Sequence, residues 1–427
     1  MLTVGDIIIA KVVDIDYQGQ GVVKQDGYVI FVKGLLTDEE AKIKITSVRK
    51  SFGQAIVIEI LKRSEHRVSH PQSILGSCDL LHLSVAEQNK WQTRITYETL
   101  KKILGQELEL ELIITDFKDK HYRNKSVFHV MDRPYLTLGL YHKDQMRLVE
   151  ISEFILADHK TNEILKLLNF NKIICDTKVL KHLVIRTNLN GEALVTLVAT
   201  KKGFKGLDKI VQTLMKVEKI VGVTLNISTS PHAILGSDSL VIIGENAIIE
   251  PLKGIDIMIN DRSFFQINLP VIEKVYEIIK SEIKPKSTLI DAYSGVGSIG
   301  YYLSNKASKV TMIESNKESY DMALSIKESH HLDHVEIIND LAEKALVDMT
   351  ADYLIVDPPR NGLMPELLEI LIDSNFKKIF YLSCDAKTLS RDLVKLTERY
   401  SISKVYPIQM FYHTTSLETL VILTLIQ

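Results

Sequence analysis

The chain contains 427 residues, of which 45% are hydrophobic and 25% are charged, and its formal net charge is −2. This length predicts two to four domains with apolar cores, while the near-neutral charge excludes a global signature of nucleic-acid binding. The chain has three cysteines, Cys78, Cys175 and Cys384. They are too few for a disulfide scaffold or a four-cysteine metal site, so no metal site is predicted.

The first residues, MLTVGDIIIAKVV, lack a cationic region followed by a long apolar run, so no signal peptide is expected. The apolar stretches of the chain are shorter than the roughly 18 residues needed to cross a bilayer. We therefore expect a cytoplasmic protein that makes no membrane contact, and we expect it to be a monomer.

Residues 1–62 are predicted to form four or five short strands without any helical period. The segments GDIIIAKVVDI, GYVIFVKGLL and EAKIKITSV follow one another closely and are separated by turns. This spacing favours a small OB-like β-barrel. Such barrels commonly hold nucleic acid, but the fold alone does not establish that function.

Residues 63–262 are predicted to form a central α+β domain. EQNKWQTRITYETLKKIL has the pattern of an amphipathic helix, while HLVIRTN and EALVTLVAT resemble strands joined by a turn at residues 188–191. A basic stretch in this part is either an RNA-binding surface or an ordinary solvated helix face. Its members are Lys201, Lys202, Lys205, Lys209, Lys216 and Lys219.

Residues 263–427 alternate between strand and helix patterns, which predicts an α/β domain with a doubly wound, Rossmann-like sheet. Its first motif is Asp291-Ala-Tyr-Ser-Gly295-Val-Gly297-Ser-Ile-Gly300, at a strand-to-helix turn. With Glu314 at the end of the next strand, the glycines match a dinucleotide fingerprint, so a nicotinamide-dependent oxidoreductase is one interpretation. Asp291 favours another, because a carboxylate repels pyrophosphate and suits the cationic S-adenosylmethionine.

The second motif, Asp357-Pro-Pro-Arg360, follows the apolar strand YLIV at the sheet edge where such folds place ligands. Enzymes that methylate amino nitrogens carry an aromatic residue after Asp-Pro-Pro. Arg360 at that position disfavours a nitrogen target. A purely structural turn is the alternative.

Two further motifs place reactive side chains near the same edge. A lone cysteine is most often a small buried hydrophobe, but Cys384 ends a strand and precedes a helix N-terminus, which would favour its thiolate. Glu418 opens an apolar strand, where burial is costly unless the carboxylate has a role or a partner. His413, in the same motif, is assigned no role.

Together these motifs resemble the RNA uracil-5-methyltransferase family, whose wording is close to FFQVN, DLYCGxGxxG, DPPRxGL, YxSCxPxTLxRDL and PhTxHxET. This chain has the glycine motif given above and four further segments. They are Phe264-Phe-Gln266-Ile-Asn268, Asp357-Pro-Pro-Arg360-Asn-Gly-Leu, Tyr381-Leu-Ser-Cys384-Asp-Ala-Lys-Thr-Leu-Ser-Arg-Asp392-Leu and His413-Thr-Thr-Ser-Leu-Glu418-Thr. The five motifs run in order over residues 264–419, which makes the resemblance specific. Upstream, Tyr122-Arg-Asn-Lys125 matches a central family segment, and residues 1–62 resemble its TRAM barrel.

The resemblance implies a Rossmann-like methyltransferase domain that uses S-adenosyl-L-methionine to methylate carbon 5 of uridine in structured RNA. It implies that Cys384 is the nucleophile and Glu418 the base. By position, the residues implied to bind the methyl donor are Gln266, Tyr293, Glu314, Asp340 and Asp357. The TRAM-containing layout is similar to 23S rRNA methyltransferases, and a tRNA methyltransferase is the alternative.

Many relatives hold a four-iron cluster through a Cys-Gly-Gly-Cys region and two further cysteines. The matching stretch here is Leu75-Gly-Ser-Cys78, and the other ligand positions fall near Ser69 and at Phe154. Because one thiolate cannot hold a cluster that needs four ligands, no iron-sulfur cluster is expected. Ser416 also replaces the usual histidine of the last motif.

Overall fold

The computed structural model describes residues 2–426. The N-terminal part is a closed barrel with strand order β1-β2-β3-β5-β4, as its pattern of short strands predicts. Alternate side chains such as Val12, Ile30 and Ile43 point inward and form its core. The strands are β1 (Ile7–Ile15), β2 (Gln20–Gln25), β3 (Tyr28–Lys33), β4 (Glu40–Val48) and β5 (Phe52–Lys62).

The central part begins with the predicted amphipathic helix and continues into a seven-stranded sheet of order β12-β11-β10-β9-β6-β7-β8. The predicted hairpin is present as the antiparallel pair β9 and β10. The elements are α1 (Val85–Leu104), β6 (Lys125–Val130), β7 (Leu138–Tyr141), β8 (Leu148–Glu150), α2 (His159–Asn171), β9 (Leu180–Thr187), β10 (Ala193–Ala199), α3 (Leu207–Leu214), β11 (Ile220–Ile227) and β12 (Asp238–Gly244).

A hairpin of β13 (Ala247–Leu252) and β14 (Ile255–Asn260) leads to the C-terminal α/β part. This C-terminal part contains the second seven-stranded sheet of the protein, here called the second sheet, with the order β17-β16-β15-β18-β19-β21-β20. The elements are α4 (Leu269–Glu282), β15 (Ser287–Ala292), α5 (Ser298–Ser304), β16 (Ala307–Ile313), α6 (Lys317–Ser329), β17 (Val335–Ile338), α7 (Ala342–Ala345), β18 (Tyr353–Val356), α8 (Pro365–Asp373), β19 (Lys378–Ser383), α9 (Ala386–Leu396), β20 (Tyr400–Ile408) and β21 (Glu418–Leu425).

In this second sheet β15 to β19 are parallel, whereas β21 is inserted between β19 and β20 and runs antiparallel to both. An antiparallel strand begins where its neighbour ends. The start of β21 therefore lies at the edge where the parallel strands have their carboxyl ends. That edge is where the motif residues meet.

Helix α1 connects all three parts. It packs against α9 of the C-terminal part, and its Leu100 is buried in the same apolar cluster as the core of the second sheet. Its other end packs against the barrel, where the indole of Trp91 donates a hydrogen bond to the carbonyl oxygen of Asp16 at 3.0 Å. The barrel is therefore docked on the rest of the protein through an apolar cluster rather than linked by a free tether.

The basic stretch of the central part is not one helix face. Only Lys209 lies within α3, whereas the remaining lysines occupy loops before and after it, and all of them are exposed. Within residues 2–426, none of the helices combines the length and the apolar character needed to span a membrane.

Candidate active site

The sequence motifs converge on one edge of the second sheet. Asp291 is the penultimate residue of β15, Glu314 follows β16, Asp357 follows β18 and Cys384 follows β19. Parallel strands have their carboxyl ends on a common edge, so these side chains surround one region. Glu418 joins them because it is the first residue of the antiparallel β21.

Cys384 and Glu418 are brought together by strand register. Ser383 pairs with Thr419 across β19 and β21, and the next residues along the two strands in that register are Cys384 and Glu418. Cys384 is half-buried, whereas Glu418 is 4% exposed. A thiol and a carboxyl group thus occupy neighbouring positions at the ligand edge of the sheet.

The expectation that the helix N-terminus favours a Cys384 thiolate is wrong, because the pKa of this thiol is raised. Burial raises the pKa of the Cys384 thiol to about 11, and the charge of Glu418 adds to the rise, while Arg360 opposes it. The N-terminus of α9 is already capped, since the Asp385 carboxylate accepts hydrogen bonds from the N–H groups of Lys387 and Thr388 at 2.9 and 2.8 Å. These donors are therefore unavailable to the sulfur.

Asp357 and Glu418 form a second electrostatic feature. Burial raises the pKa of Glu418 well above its usual range, and the neighbouring charge of Asp357 raises it further, while Arg360 lowers it. Burial also raises the pKa of Asp357 to about 7, although the amide of Gln266 donates to its Oδ2 at 3.3 Å and opposes the rise. Two carboxyl groups in mutual repulsion favour a shared proton or a bound cation.

The glycine motif is organised by Asp291. Its Oδ2 accepts a hydrogen bond from Gly300 N at 2.8 Å, and a Cβ atom at position 300 would lie 3.1 Å from that oxygen. Asp291 is 1% exposed, its Oδ1 has no hydrogen-bond partner among residues 2–426, and burial raises its pKa to about 8. The hydrogen bond that Asp291 makes in this structure therefore stabilises the glycine loop. Glu314 holds the same loop from the other side by accepting from Gly295 N at 2.8 Å.

The Tyr122–Lys125 segment supports the loop that carries Gln266. Asn124 donates from Nδ2 to the carbonyl oxygen of Gln266 at 3.0 Å. Its backbone N–H donates to the carbonyl oxygen of Ile267 at 3.1 Å. Tyr122 donates its hydroxyl to the carbonyl oxygen of Tyr412 at 3.0 Å. This central segment therefore holds the loop of Gln266 and the segment of Tyr412 in place, and it contributes no reactive group itself.

Two of the residues implied to bind the methyl donor lie at the margin of this constellation. Tyr293 is half-buried in the glycine loop with φ at 64°, and its buried hydroxyl has no partner in the described residues. Asp340 is exposed in the turn after β17, where its Oδ1 accepts from Leu341 N at 2.8 Å. Both lie at carboxyl ends of strands of the same sheet.

His413, which the sequence left without a role, is a structural link. The amide of Gln88 on α1 donates to Nδ1 at 2.9 Å, which leaves the proton on Nε2 to donate to Asp119 Oδ2 at 3.1 Å. The backbone N–H of His413 returns a hydrogen bond to Gln88 Oε1 at 2.9 Å. Sequence reasoning missed Gln88 and Asp119, because neither lies in a motif and both meet His413 only through long-range packing.

Cys78 belongs to an apolar core rather than to a site. It is fully buried in the apolar cluster of the central part, to which Phe154 also belongs, and burial raises the pKa of its thiol to about 12. Among residues 2–426, no group of three His, Cys, Asp or Glu side chains is close enough together to hold a metal ion.

The constellation fits S-adenosylmethionine chemically. Asp291, Asp357 and Glu418 all have raised pKa values, and one buried oxygen of Asp291 has no partner in the part of the chain that the structure describes. S-adenosylmethionine carries an ammonium and a sulfonium charge, and a cation placed among these carboxyl groups would relieve their repulsion. A pyrophosphate in the same place would increase the repulsion.

Comparison with known proteins identifies the class. The sequence profile described as tRNA (Uracil-5-)-methyltransferase matches residues 88–426, and the TRAM domain profile matches residues 2–58. A protein of Fusobacterium nucleatum named as an uncharacterized RNA methyltransferase is 30% identical, with 98% of this chain and 96% of that protein covered. A protein of Listeria innocua with the same description is 31% identical, with 96% of both chains covered.

A solved structure supports the fold. The Pyrococcus abyssi tRNA (uracil-54, C5)-methyltransferase in complex with S-adenosyl-L-homocysteine has a TM-score of 0.79 and 24% identity, covering 98% of this chain and 100% of that one. The protein is thus an S-adenosylmethionine-dependent RNA methyltransferase with an N-terminal TRAM domain. It belongs to the tRNA (uracil-5-)-methyltransferase family, which removes the nicotinamide-dependent oxidoreductase from consideration.

Proposed function

We propose that this protein methylates carbon 5 of a uridine in RNA, with 23S rRNA as the substrate, Cys384 as the nucleophile and Glu418 as the base. The observation that supports the proposal is the register of β19 and β21: Ser383 pairs with Thr419, Cys384 and Glu418 are the next residues in that register, and the charge of Glu418 acts on the Cys384 thiol. A nucleophile and a base must both reach the same pyrimidine ring, on adjacent carbon atoms.

Carbon 5 of uracil is too weak a nucleophile to displace a methyl group unaided. Attack of the Cys384 sulfur on carbon 6 converts the ring to an enolate, and carbon 5 then becomes nucleophilic. S-adenosylmethionine supplies the methyl group. Because burial raises the pKa of Cys384 to about 11, the thiol must first release its proton to water, and Arg360 is the cation that lowers this pKa.

After methyl transfer, carbon 5 carries both the new methyl group and its original proton. Glu418 removes this proton, the ring regains its double bond, and the bond between Cys384 and carbon 6 breaks. A carboxyl group with a raised pKa suits this role, because its carboxylate is a stronger base than an ordinary exposed one.

We assign the contacts to the methyl donor as follows. The cationic groups lie near Asp357 and Gln266, which are already in contact at 3.3 Å. Glu314 binds the ribose hydroxyls: its oxygens accept from Gly295 N and Asn316 N and keep further lone pairs. Tyr293 and Asp340 complete the pocket on the adenine side.

Ribosomal RNA is the proposed substrate because the TRAM-containing layout resembles that of 23S rRNA methyltransferases. Transfer RNA is the second candidate, favoured by the description of the matching family. In either case the target base must leave its stack to reach Cys384. We further propose that the protein acts as a cytoplasmic monomer. Its domain boundaries are proposed to lie near residues 62 and 262.

Mapping 5-methyluridine by mass spectrometry in RNA from a deletion strain tests the function. Loss of the modification from one 23S rRNA uridine, restored by the intact gene and not by the Cys384→Ala variant, is the expected result. Loss of 5-methyluridine from tRNA alone would identify transfer RNA, the second candidate, as the substrate instead. Unchanged 5-methyluridine in both RNA classes would reject it.

A further inference from the structure

A cavity of about 610 Å³ lies between the barrel and the loops that carry the motif residues. Its wall includes Cys384 and residues from all three parts: Tyr17 of the barrel, Lys143 of the turn between β7 and β8, and Lys387 of α9. Its volume is within the range of ordinary ligand pockets. A segment of RNA in this cavity would lie directly beside Cys384.

Lys143 forms no close ion pair in this wall. Its side chain is half-buried, and burial lowers its pKa, while the charges of Asp144 and Asp79 in the same wall oppose this shift. No carboxylate of the described residues lies within 4.0 Å of its ammonium group. The nearby Asp144 pairs instead with Lys33, at 3.5 Å. A partly buried cation without a close ion pair is costly, and a phosphate in contact with the ammonium group would stabilise it.

Lys387 is held in place by the barrel. Its ammonium group lies 3.9 Å from the centre of the Tyr17 ring, and it forms no ion pair within the described part of the chain. A cation–π contact orients the ammonium group but does not neutralise its charge. Lys387 and Cys384 both line the cavity, so this contact places a positive charge in the same wall as the sulfur.

We propose that Lys143 and Lys387 bind phosphates of the RNA nucleotides next to the target uridine, and that Tyr17 positions Lys387. This assignment rests on the proposed function. Two cations on opposing parts of the protein would hold the strand across the cavity, so that the extruded base enters beside Cys384. Phosphate contacts fix the register of a nucleic acid, while the reactive residues act on the base.

Salt dependence of binding tests the two lysines. The probe is a short fluorescent oligouridine, whose anisotropy reports binding without any turnover. Each of Lys143→Met and Lys387→Met should lower the slope of log affinity against log salt by about 0.7, so that between 50 and 200 mM salt each variant loses about 2.6-fold less affinity than the wild type. Lys178→Met is the matched control, since Lys178 is exposed and outside the cavity wall.

The role of Tyr17 is tested by a double-mutant cycle. Tyr17→Leu should weaken oligouridine binding in the wild type but have little further effect in Lys387→Met, because positioning matters only while the ammonium group is present. Slopes equal to the wild type in both lysine variants, or additive effects of Tyr17→Leu and Lys387→Met, would overturn the assignment. Absence of methylation by the wild type would instead reject the proposed function. The salt slopes of oligouridine binding could still be interpreted in that case, because the anisotropy measurement does not depend on turnover.

Discussion

Gly362 lies so close to Asp392 that a Cβ atom at position 362 would be 2.5 Å from Asp392 Oδ2. The fully buried Asp392 carboxylate accepts hydrogen bonds from Leu363 N at 2.8 Å and from the hydroxyl of Tyr381 at 2.7 Å. This contact joins the loop after β18 to α9. The two motifs that carry Asp357 and Cys384 are thereby held as one unit.

Removing this carboxylate should loosen the loop. Asp392→Ala leaves the Leu363 N–H and the Tyr381 hydroxyl buried without a partner, at a cost of about 1–3 kcal/mol each. The free energy of unfolding, measured by urea denaturation, should fall by at least about 2 kcal/mol. Tyr381→Phe is the control, because it removes only one donor. Equal stability of Asp392→Ala and the wild type would show that the contact is unimportant.

The two proposed catalytic residues should fail in different ways. Cys384→Ala removes the nucleophile, so neither a bond to RNA nor methyl transfer should occur. Glu418→Gln is nearly isosteric but cannot accept the carbon-5 proton. It should attack, methylate once and stall, and a methylated RNA–protein adduct should survive denaturing electrophoresis. Product release by Glu418→Gln at the wild-type rate would remove Glu418 from the proposed mechanism.

The raised pKa of Cys384 makes its reactivity pH-dependent. Below a pKa of about 11 the thiol predominates, and its thiolate fraction rises about tenfold per pH unit. Alkylation of Cys384 by iodoacetamide, followed by mass spectrometry, should therefore accelerate about 100-fold between pH 7 and 9. Arg360→Met should slow the reaction at pH 8, because Arg360 lowers this pKa. A rate independent of pH over that range would mean that the thiolate already exists.

Docking of the barrel is expected to depend on Gly19. Its φ is +74°, and a Cβ atom there would lie 2.9 Å from the Thr415 side chain and 3.0 Å from that of Leu80. Gly19→Ala should therefore separate the barrel from the site, raising KM for RNA while leaving calorimetric binding of S-adenosylmethionine unchanged.

The matched control for this change is Gly27→Ala. Gly27 has a similar φ of +83°, but a Cβ atom there would meet nothing within 4 Å. Both substitutions carry the same backbone strain, so their difference isolates the contact with Thr415 and Leu80. Indistinguishable KM values would argue against a role for barrel docking.

The protein prepared without oxygen should be colourless and free of iron. Cys78 is the only cysteine at an expected ligand position, and its thiol is buried in an apolar cluster with a pKa of about 12. Stoichiometric iron and sulfide by elemental analysis would contradict this prediction.

Much of the architecture follows from local sequence. The short strands of residues 1–62, the helical period of α1 and the turn between β9 and β10 predict elements that the structure contains. The strand-to-helix alternation after residue 263 also placed Asp357 and Cys384 at the carboxyl ends of strands. Hydrophobic period and turn residues act over a few positions, so they can be read without knowing the fold.

Long-range packing decided the remainder. The insertion of β21 beside β19, which brings Glu418 to Cys384, depends on strand order, and no local pattern encodes that order. The expected thiolate was wrong because the pKa of Cys384 depends on burial, on Glu418 and on the capped helix, all of which are set by neighbours. The sequence by itself determined which reactive groups the protein carries, whereas only the tertiary structure decided their distances and surroundings, because pKa values and contacts are properties of residues far apart in the chain.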